Sequence, residues 1–163
     1  MEQKLEAYRR KRNFLKTSEP SGKEEKPVGV TKRKIFAVQL HYARTTHFDF
    51  RLEWDGVLLS WAVPKGPSFN PKDKRLAVRV EEHPLDYADF EGVIPKGEYG
   101  GGTVLLWDKG YWTETEDFAR GLEKGSLKLR LDGKRLKGGW ALVRLNDKDK
   151  ADDEKENWLL FKE

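Results

Sequence analysis

Apolar and polar residues alternate with a period of two through His47-Phe48-Asp49-Phe50-Arg51-Leu52-Glu53-Trp54. Side chains alternate faces along a strand, so this stretch is a strand with one apolar side and one polar side. From Lys34 onward, β-branched and aromatic runs broken by turn residues predict further strands at 34–42, 57–63, 75–82, 103–107, 110–114, 126–131, 139–145 and 157–162. Asp55-Gly56, Lys109-Gly110 and Asp132-Gly133 read as hairpin turns. A short helix is expected near Glu116–Glu123, and another over residues 2–13 with Leu5 and Tyr8 on one side. Thr17 to Gly29, with its prolines, glycines and charges, reads as a loop or linker. Many short strands and few helices predict a mainly β fold, an antiparallel barrel or sandwich. The division expected is a basic N-terminal arm, 1–33, packing on a β domain, 34–163.

Asp55-Gly56 also fixes a register. A two-residue loop pairs Trp54 with Val57. Phe50 then faces Trp61, and Leu52 faces Leu59. On the polar side Asp49 lies opposite Ala62 and Arg51 opposite Ser60, so small neighbours leave room above His47, Asp49 and Arg51.

That polar side carries the candidate chemistry. His47, Asp49 and Arg51 project together, and His41 lies six residues earlier on a strand that places it on one parity with Gln39. Two imidazoles and a carboxylate can hold a divalent metal, and a guanidinium beside them can hold an anionic oxygen. The ordinary alternative is a polar strand face turned to water. Cysteine is absent, so a metal site must use nitrogen and oxygen ligands. His83, the third of three histidines, follows strand 75–82 in His83-Pro84-Leu85-Asp86-Tyr87. Arg75 and Tyr87 have dull readings as a surface cation and a packing tyrosine. Gly97-Glu98-Tyr99-Gly100-Gly101-Gly102 lacks the Lys-Ser/Thr ending of a nucleotide-binding loop, and reads as a turn with positive φ and close backbone approach.

Charge changes the picture at the N-terminus. Residues 1–34 hold eleven Lys/Arg and five Asp/Glu, against 21 and 23 in the other 129 residues. The basic excess therefore sits in the arm, where it can gather a polyanion or simply solvate the chain. No apolar run approaches membrane-spanning length and no secretory signal opens the sequence, so a cytoplasmic location without membrane contact is expected.

Several segments together resemble the 3′-phosphoesterase domain of the DNA ligase D family. They are Gln39-Leu40-His41, His47 to Glu53, Ser60 to Ser68, Lys74 to Val78, Glu82 to Gly92, Ile94 to Gly100, Arg135 to Arg144 and Trp158-Leu159-Leu160. The resemblance implies a compact β-barrel with short flanking helices. It implies removal of a 3′-terminal ribonucleoside and then of the 3′-phosphate, leaving a 3′-hydroxyl for repair synthesis or end joining by a separate ligase or polymerase. It implies a manganese-preferring site, open also to Zn2+ or Co2+, with His41, His47 and Asp49 as ligands. Arg51, Arg75, His83 and Tyr87 match the phosphate-contacting and catalytic group, and Gln39 a supporting residue. Arg12 and Glu19 match functional positions of the arm. Asn13 stands where the family commonly has aspartate, and Tyr42 replaces a common second histidine. Two other classes fit the residues alone: a non-haem Fe(II) oxygenase with a His/Asp facial triad, and a non-catalytic nucleic-acid-binding module.

Overall fold

The computed structural model describes residues 2–22, 33–145 and 156–163. Within them one antiparallel sheet contains β1 (Lys34–Tyr42), β2 (Thr46–Trp54), β3 (Val57–Val63), β4 (Arg75–His83), β5 (Gly92–Ile94), β6 (Gly102–Glu114), β7 (Ser126–Gly133), β8 (Lys137–Arg144) and β9 (Asn157–Lys162). The strands run β1-β2-β3-β4-β9-β8-β7-β6, and β6 pairs back onto β1 to close an eight-stranded barrel. β5 extends the sheet outward from the start of β6. Two helices, α1 (Glu6–Arg10) and α2 (Phe118–Lys124), and two 3-10 turns, Glu2–Leu5 and Leu85–Asp89, flank it. None of the described helices is long and apolar enough to cross a membrane.

The barrel interior takes the apolar side of each strand. Phe36, Phe50, Leu52, Trp61, Trp112, Trp140 and Trp158 meet there, all essentially inaccessible to solvent. Burying a large apolar side chain is worth about 1.5–3 kcal/mol, so this filling holds the barrel shut. A second, smaller core lies outside the wall. Tyr8 of α1, Tyr87 and Ala88 of the 3-10 turn, Ile94 of β5 and Phe90 pack over Ala37 and Leu58. The polar face of β1–β4 is therefore partly roofed by the N-terminal arm and the segment after β4.

The register derived from Asp55-Gly56 is the one observed. Trp54 pairs with Val57, Phe50 with Trp61, Leu52 with Leu59, Asp49 with Ala62 and Arg51 with Ser60. Asp55 and Gly56 have φ of 52° and 84°, as a primed two-residue turn requires. Helix α2 forms where expected. Asp117 caps it by accepting from the Arg120 amide, and Gly125 ends it at φ 85°.

Other expectations fail for identifiable reasons. Lys109-Gly110 is no turn: β6 runs unbroken through it, with a bulge where β1 steps from Val38 to Gln39. Gly110 lies opposite Gly133, and a Cβ on Gly110 would sit 2.1 Å from the Asp132 carbonyl oxygen. That glycine marks close strand approach. Asp132-Gly133 does open a hairpin, but Asp132 pairs with Lys137. The Asp108 carboxylate holds the longer loop by accepting from the amides of Lys134, Arg135 and Leu136. The helix expected over 2–13 shrinks to a 3-10 turn and α1, although Leu5 and Tyr8 are buried as its pattern required. Arg12 ends it: its side chain takes the Tyr8 carbonyl at 3.0 Å, the acceptor a continuing helix would give to the Arg12 amide. The expected loop from Thr17 to Gly29 is irregular as far as Gly22, and its remainder lies outside the described residues.

Candidate metal centre and the surrounding polar network

β1 and β2 bring the first three residues together. Gln39 pairs with Asp49, and His41 with His47, on the outward parity. His47 Nε2 stands 3.2 Å from Asp49 Oδ1, and His41 Nδ1 stands 3.6 Å from Asp49 Oδ2. One ligand atom from each residue lies within 4.8 Å of the others. The other ring nitrogens point at backbone carbonyls, His41 Nε2 at Gly100 (2.7 Å) and His47 Nδ1 at Thr45 (3.0 Å). Carbonyls only accept, so each outer nitrogen carries the proton and each inner nitrogen presents a lone pair. Two lone pairs and a carboxylate facing one another repel unless a cation lies among them. The donor set therefore fits a divalent metal, with carbonyl partners fixing both imidazoles.

The glycine-rich loop supplies one of these carbonyls. Gly97, Gly100 and Gly102 have φ of 97°, 75° and 138°. A Cβ at Gly102 would meet the Tyr42 carbonyl oxygen at 2.0 Å. The turn and the close approach expected of this segment are both present, and they aim Gly100 at His41.

A proton competes for the same position. The hydrogen bond to Asp49 raises the His47 pKa above its ordinary value, outweighing burial. Burial pushes the Asp49 carboxyl up, but its bonds to His41 and His47 and the Arg51 charge overcome this and hold it far below the carboxylate range. A raised pKa means His47 binds its proton already above the usual imidazole value of about 6.5. Affinity for a divalent metal should fall as pH drops through that region, by roughly tenfold per unit once His47 is mostly protonated. Calorimetric Mn2+ titration between about pH 8 and 5 measures this. Unchanged affinity would remove His47 from the ligand set.

Arg51 is locked beside the cluster. Nε donates to Gln39 Oε1 (2.6 Å), Nη1 donates to Ser60 Oγ (2.8 Å), and Nη2 lies 3.6 Å from Asp49 Oδ2. Gln39 Nε2 donates to the carbonyls of Tyr87 and Phe90, tying the segment after β4 to the arginine. The guanidinium lies over the Tyr87 ring at 4.8 Å. A buried charge held this way cannot swing out to water.

His83 is buried next to it. Burial, followed by the charges of Arg51 and Arg12, pushes its pKa well below the ordinary value, so the ring is neutral at pH 7. Nδ1 meets the Glu81 carbonyl at 2.9 Å and therefore carries the proton. Nε2 is left as an acceptor, 3.4 Å from Arg12 Nη2.

The arm closes the network. Arg12 Nε donates to Glu19 Oε2 at 2.9 Å, and Tyr87 Oη donates to the same oxygen at 2.6 Å. Thr17 Oγ1 donates to Glu19 Oε1. Arg12 also lies over the Tyr8 ring at 4.0 Å. Glu81 receives Lys11 Nζ at 3.0 Å and Arg12 Nη1 at 3.5 Å. Gln39, His41, His47, Asp49, Arg51, His83, Tyr87, Arg12 and Glu19 thus form one contact network. Two named residues stand apart from it. Asn13 is exposed and its Oδ1 accepts from the Leu15 amide. Arg75 donates to the Lys65 carbonyl at 3.3 Å and lies 3.7 Å from Asp73.

Sequence reasoning missed two members. Ser60 was read only as a small neighbour of Arg51, yet it is a hydrogen-bond partner, and its place opposite Arg51 was the available signal. Glu81 gave none: the register shift between β3 and β4 breaks the strand alternation that relates it to His83.

A closed β-barrel with a histidine/carboxylate cluster and a fixed guanidinium on its outer wall defines a class of protein built to hold an anion beside a cation. Comparison with known proteins narrows this. Residues 39–144 match the family model described as the DNA Ligase D 3′-phosphoesterase domain. The chain is 52% identical over 158 residues to the multifunctional non-homologous end joining protein LigD of Pseudomonas aeruginosa, covering 97% of this chain and 18% of that protein. It is 46% identical over 143 residues to the LigD DNA repair protein of Mycobacterium tuberculosis, covering 88% and 18%. It is 41% identical over 166 residues to LigD of Mycolicibacterium smegmatis, covering 98% and 20%. The chain belongs to the DNA ligase D 3′-phosphoesterase domain family, a family of phosphoesterases, and spans about a fifth of the length of these relatives. The facial-triad oxygenase reading, which rested on ligand types alone, loses its support to this match.

Proposed function

We propose that this chain heals 3′ ends of nucleic acids in DNA repair, removing a terminal ribonucleoside and then the 3′-phosphate to leave a 3′-hydroxyl. The observation that carries the proposal is the convergence of His41, His47 and Asp49 on one point with Arg51 locked beside it. The three residues would hold a divalent ion, Mn2+ by family resemblance and Zn2+ or Co2+ by donor type. Bound there, it supplies Lewis-acid polarisation of a phosphoryl oxygen.

The protein side chains do the rest. Arg51, held 3.6 Å from Asp49, would stabilise charge that grows on the phosphoryl group as a P–O bond breaks, without having to reorient. In each step a water oxygen bonds to phosphorus and one P–O bond breaks; in the first step the bond broken joins phosphorus to the 5′-oxygen of the terminal ribonucleoside. In the second it joins phosphorus to the 3′-oxygen. Either leaving oxygen needs a proton. His83 is neutral with Nε2 as an acceptor facing Arg12, so it acquires a proton there only when an anionic substrate offsets and draws away the Arg12 and Arg51 charges, and then can pass it on. Tyr87 and Glu19 hold Arg12 over His83. Arg75 and Asn13 reach the substrate from outside this network, and the missing carboxylate at Asn13 weighs most on the first step. The 3′-hydroxyl so formed is the end that repair synthesis or ligation requires.

The test is a labelled primer–template ending in a 3′-phosphate or a single ribonucleotide, incubated without oxygen. Phosphate release with Mn2+, absent in chelator, is the expected result. Intact substrate under Mn2+, Zn2+ and Co2+ would overturn the proposal in favour of a non-catalytic binding module.

A further inference from the structure

A second basic site lies away from the metal cluster. On the outward side of β6, β7 and β8 is a cavity of about 320 Å3 lined by Arg33, Tyr111, Arg130, Asp132, Lys137 and Gly138, among others. The sheet register assembles it. Tyr111 pairs with Asp132, and Asp132 pairs with Lys137, in one row across three strands. Thr113, Arg130 and Gly139 form the next row. Gly139, at the end of that row, has no side chain of its own, and Glu163 Cβ lies 3.7 Å from where its Cβ would be.

The charges here are unbalanced. Asp132 is engaged by Arg33 at 3.2 Å, and the Arg33 guanidinium stacks over Tyr111 at 4.1 Å. Arg130 and Lys137 are exposed, and neither side chain has an ion-pair partner among the described residues. Three cations around one carboxylate, with an aromatic wall, suit a phosphate-bearing chain. Position strengthens this. Arg33 immediately precedes β1, and His41 lies eight residues further along that strand. At about 3.3 Å per residue the two are ~26 Å apart, the length of ~8 base pairs of duplex. β6, which carries Tyr111, is the neighbour of β1.

We infer that this cavity is an anchoring site for the backbone of a nucleic-acid duplex about eight base pairs from the 3′ end treated at the metal cluster. Resting on the function proposed above, the inference adds a length requirement. Short duplexes reach only the metal cluster, whereas longer ones also meet Arg130 and Lys137.

The test uses product hairpins with a 3′-hydroxyl, stems of about 6 and about 18 base pairs, and the full chain with Mn2+. Wild type should bind the long stem more tightly. The double variant Arg130→Ala/Lys137→Ala should lose roughly tenfold in affinity for the long stem at low salt, and its log K against log salt slope should flatten by about 0.9 per cation removed. Affinity for the short stem, and phosphate release from its 3′-phosphate form, should be unchanged, which also shows that the variant folds. Equal binding of the long stem by both proteins would overturn the inference and leave an acidic protein as the partner for this face. Absence of phosphate release by wild type from either 3′-phosphate hairpin would instead overturn the underlying function, and the anchor with it.

Discussion

Asp49→Asn should reduce phosphate release by at least about 10³-fold while leaving the barrel folded. Asp49 is the one group touching every other member of the centre: His41 at 3.6 Å, His47 at 3.2 Å and Arg51 at 3.6 Å. Asparagine keeps the shape but removes the negative charge that balances a cation and the Arg51 guanidinium. The buried arginine then faces an uncompensated site. Kinetics at increasing Mn2+ separates the two contributions. Weakened metal affinity is overcome by excess ion, and the loss of charge balance around Arg51 is not. Recovery of full activity at high Mn2+ would reduce Asp49 to a ligand alone. Wild-type rates at ordinary Mn2+ would remove the metal centre from the mechanism.

Arg51→Lys should cost about 10²–10³ in kcat although the positive charge is kept. The arginine divides its donors among Gln39, Ser60 and Asp49, and this fork fixes the plane of the charge. A lysine ammonium is a point charge on a flexible stem and cannot satisfy both Gln39 and Ser60 from one position. Gln39 also holds the carbonyls of Tyr87 and Phe90, so loosening it reaches the arm. The effect should appear in kcat more than in KM. An equal kcat for lysine would mean that charge alone suffices, and that the lock around the guanidinium has no catalytic value.

Much of this centre was legible in the sequence because it is built on strand alternation. A period of two puts His47, Asp49 and Arg51 on one side, and the Asp55-Gly56 turn fixes which residues face them. Both inferences are local and survive tertiary packing. What was not legible depends on contacts between distant segments. Gly110 looks like a turn residue in isolation, and only the presence of Gly133 opposite it shows close strand approach. β5 is three residues long, too short for a pattern to be visible. The arm reads as a helix by periodicity, but Arg12 leaves it to reach Glu19, a choice set by side chains rather than by propensity. The roles of Arg12, Glu19, His83 and Tyr87 came from family resemblance, since no spacing rule connects them. Their shared network appears only once the arm is folded across the wall.

The tryptophan-filled barrel has a consequence for the shape of what it can process. A lumen packed solid offers no tunnel, so a polymer end need not be threaded through anything to reach the reacting groups. On the function proposed above, such an end would meet them sideways, as a rope end laid against a post. Chain length would then set no upper limit on admission, and long or short molecules would dock and depart without unwinding the protein around them.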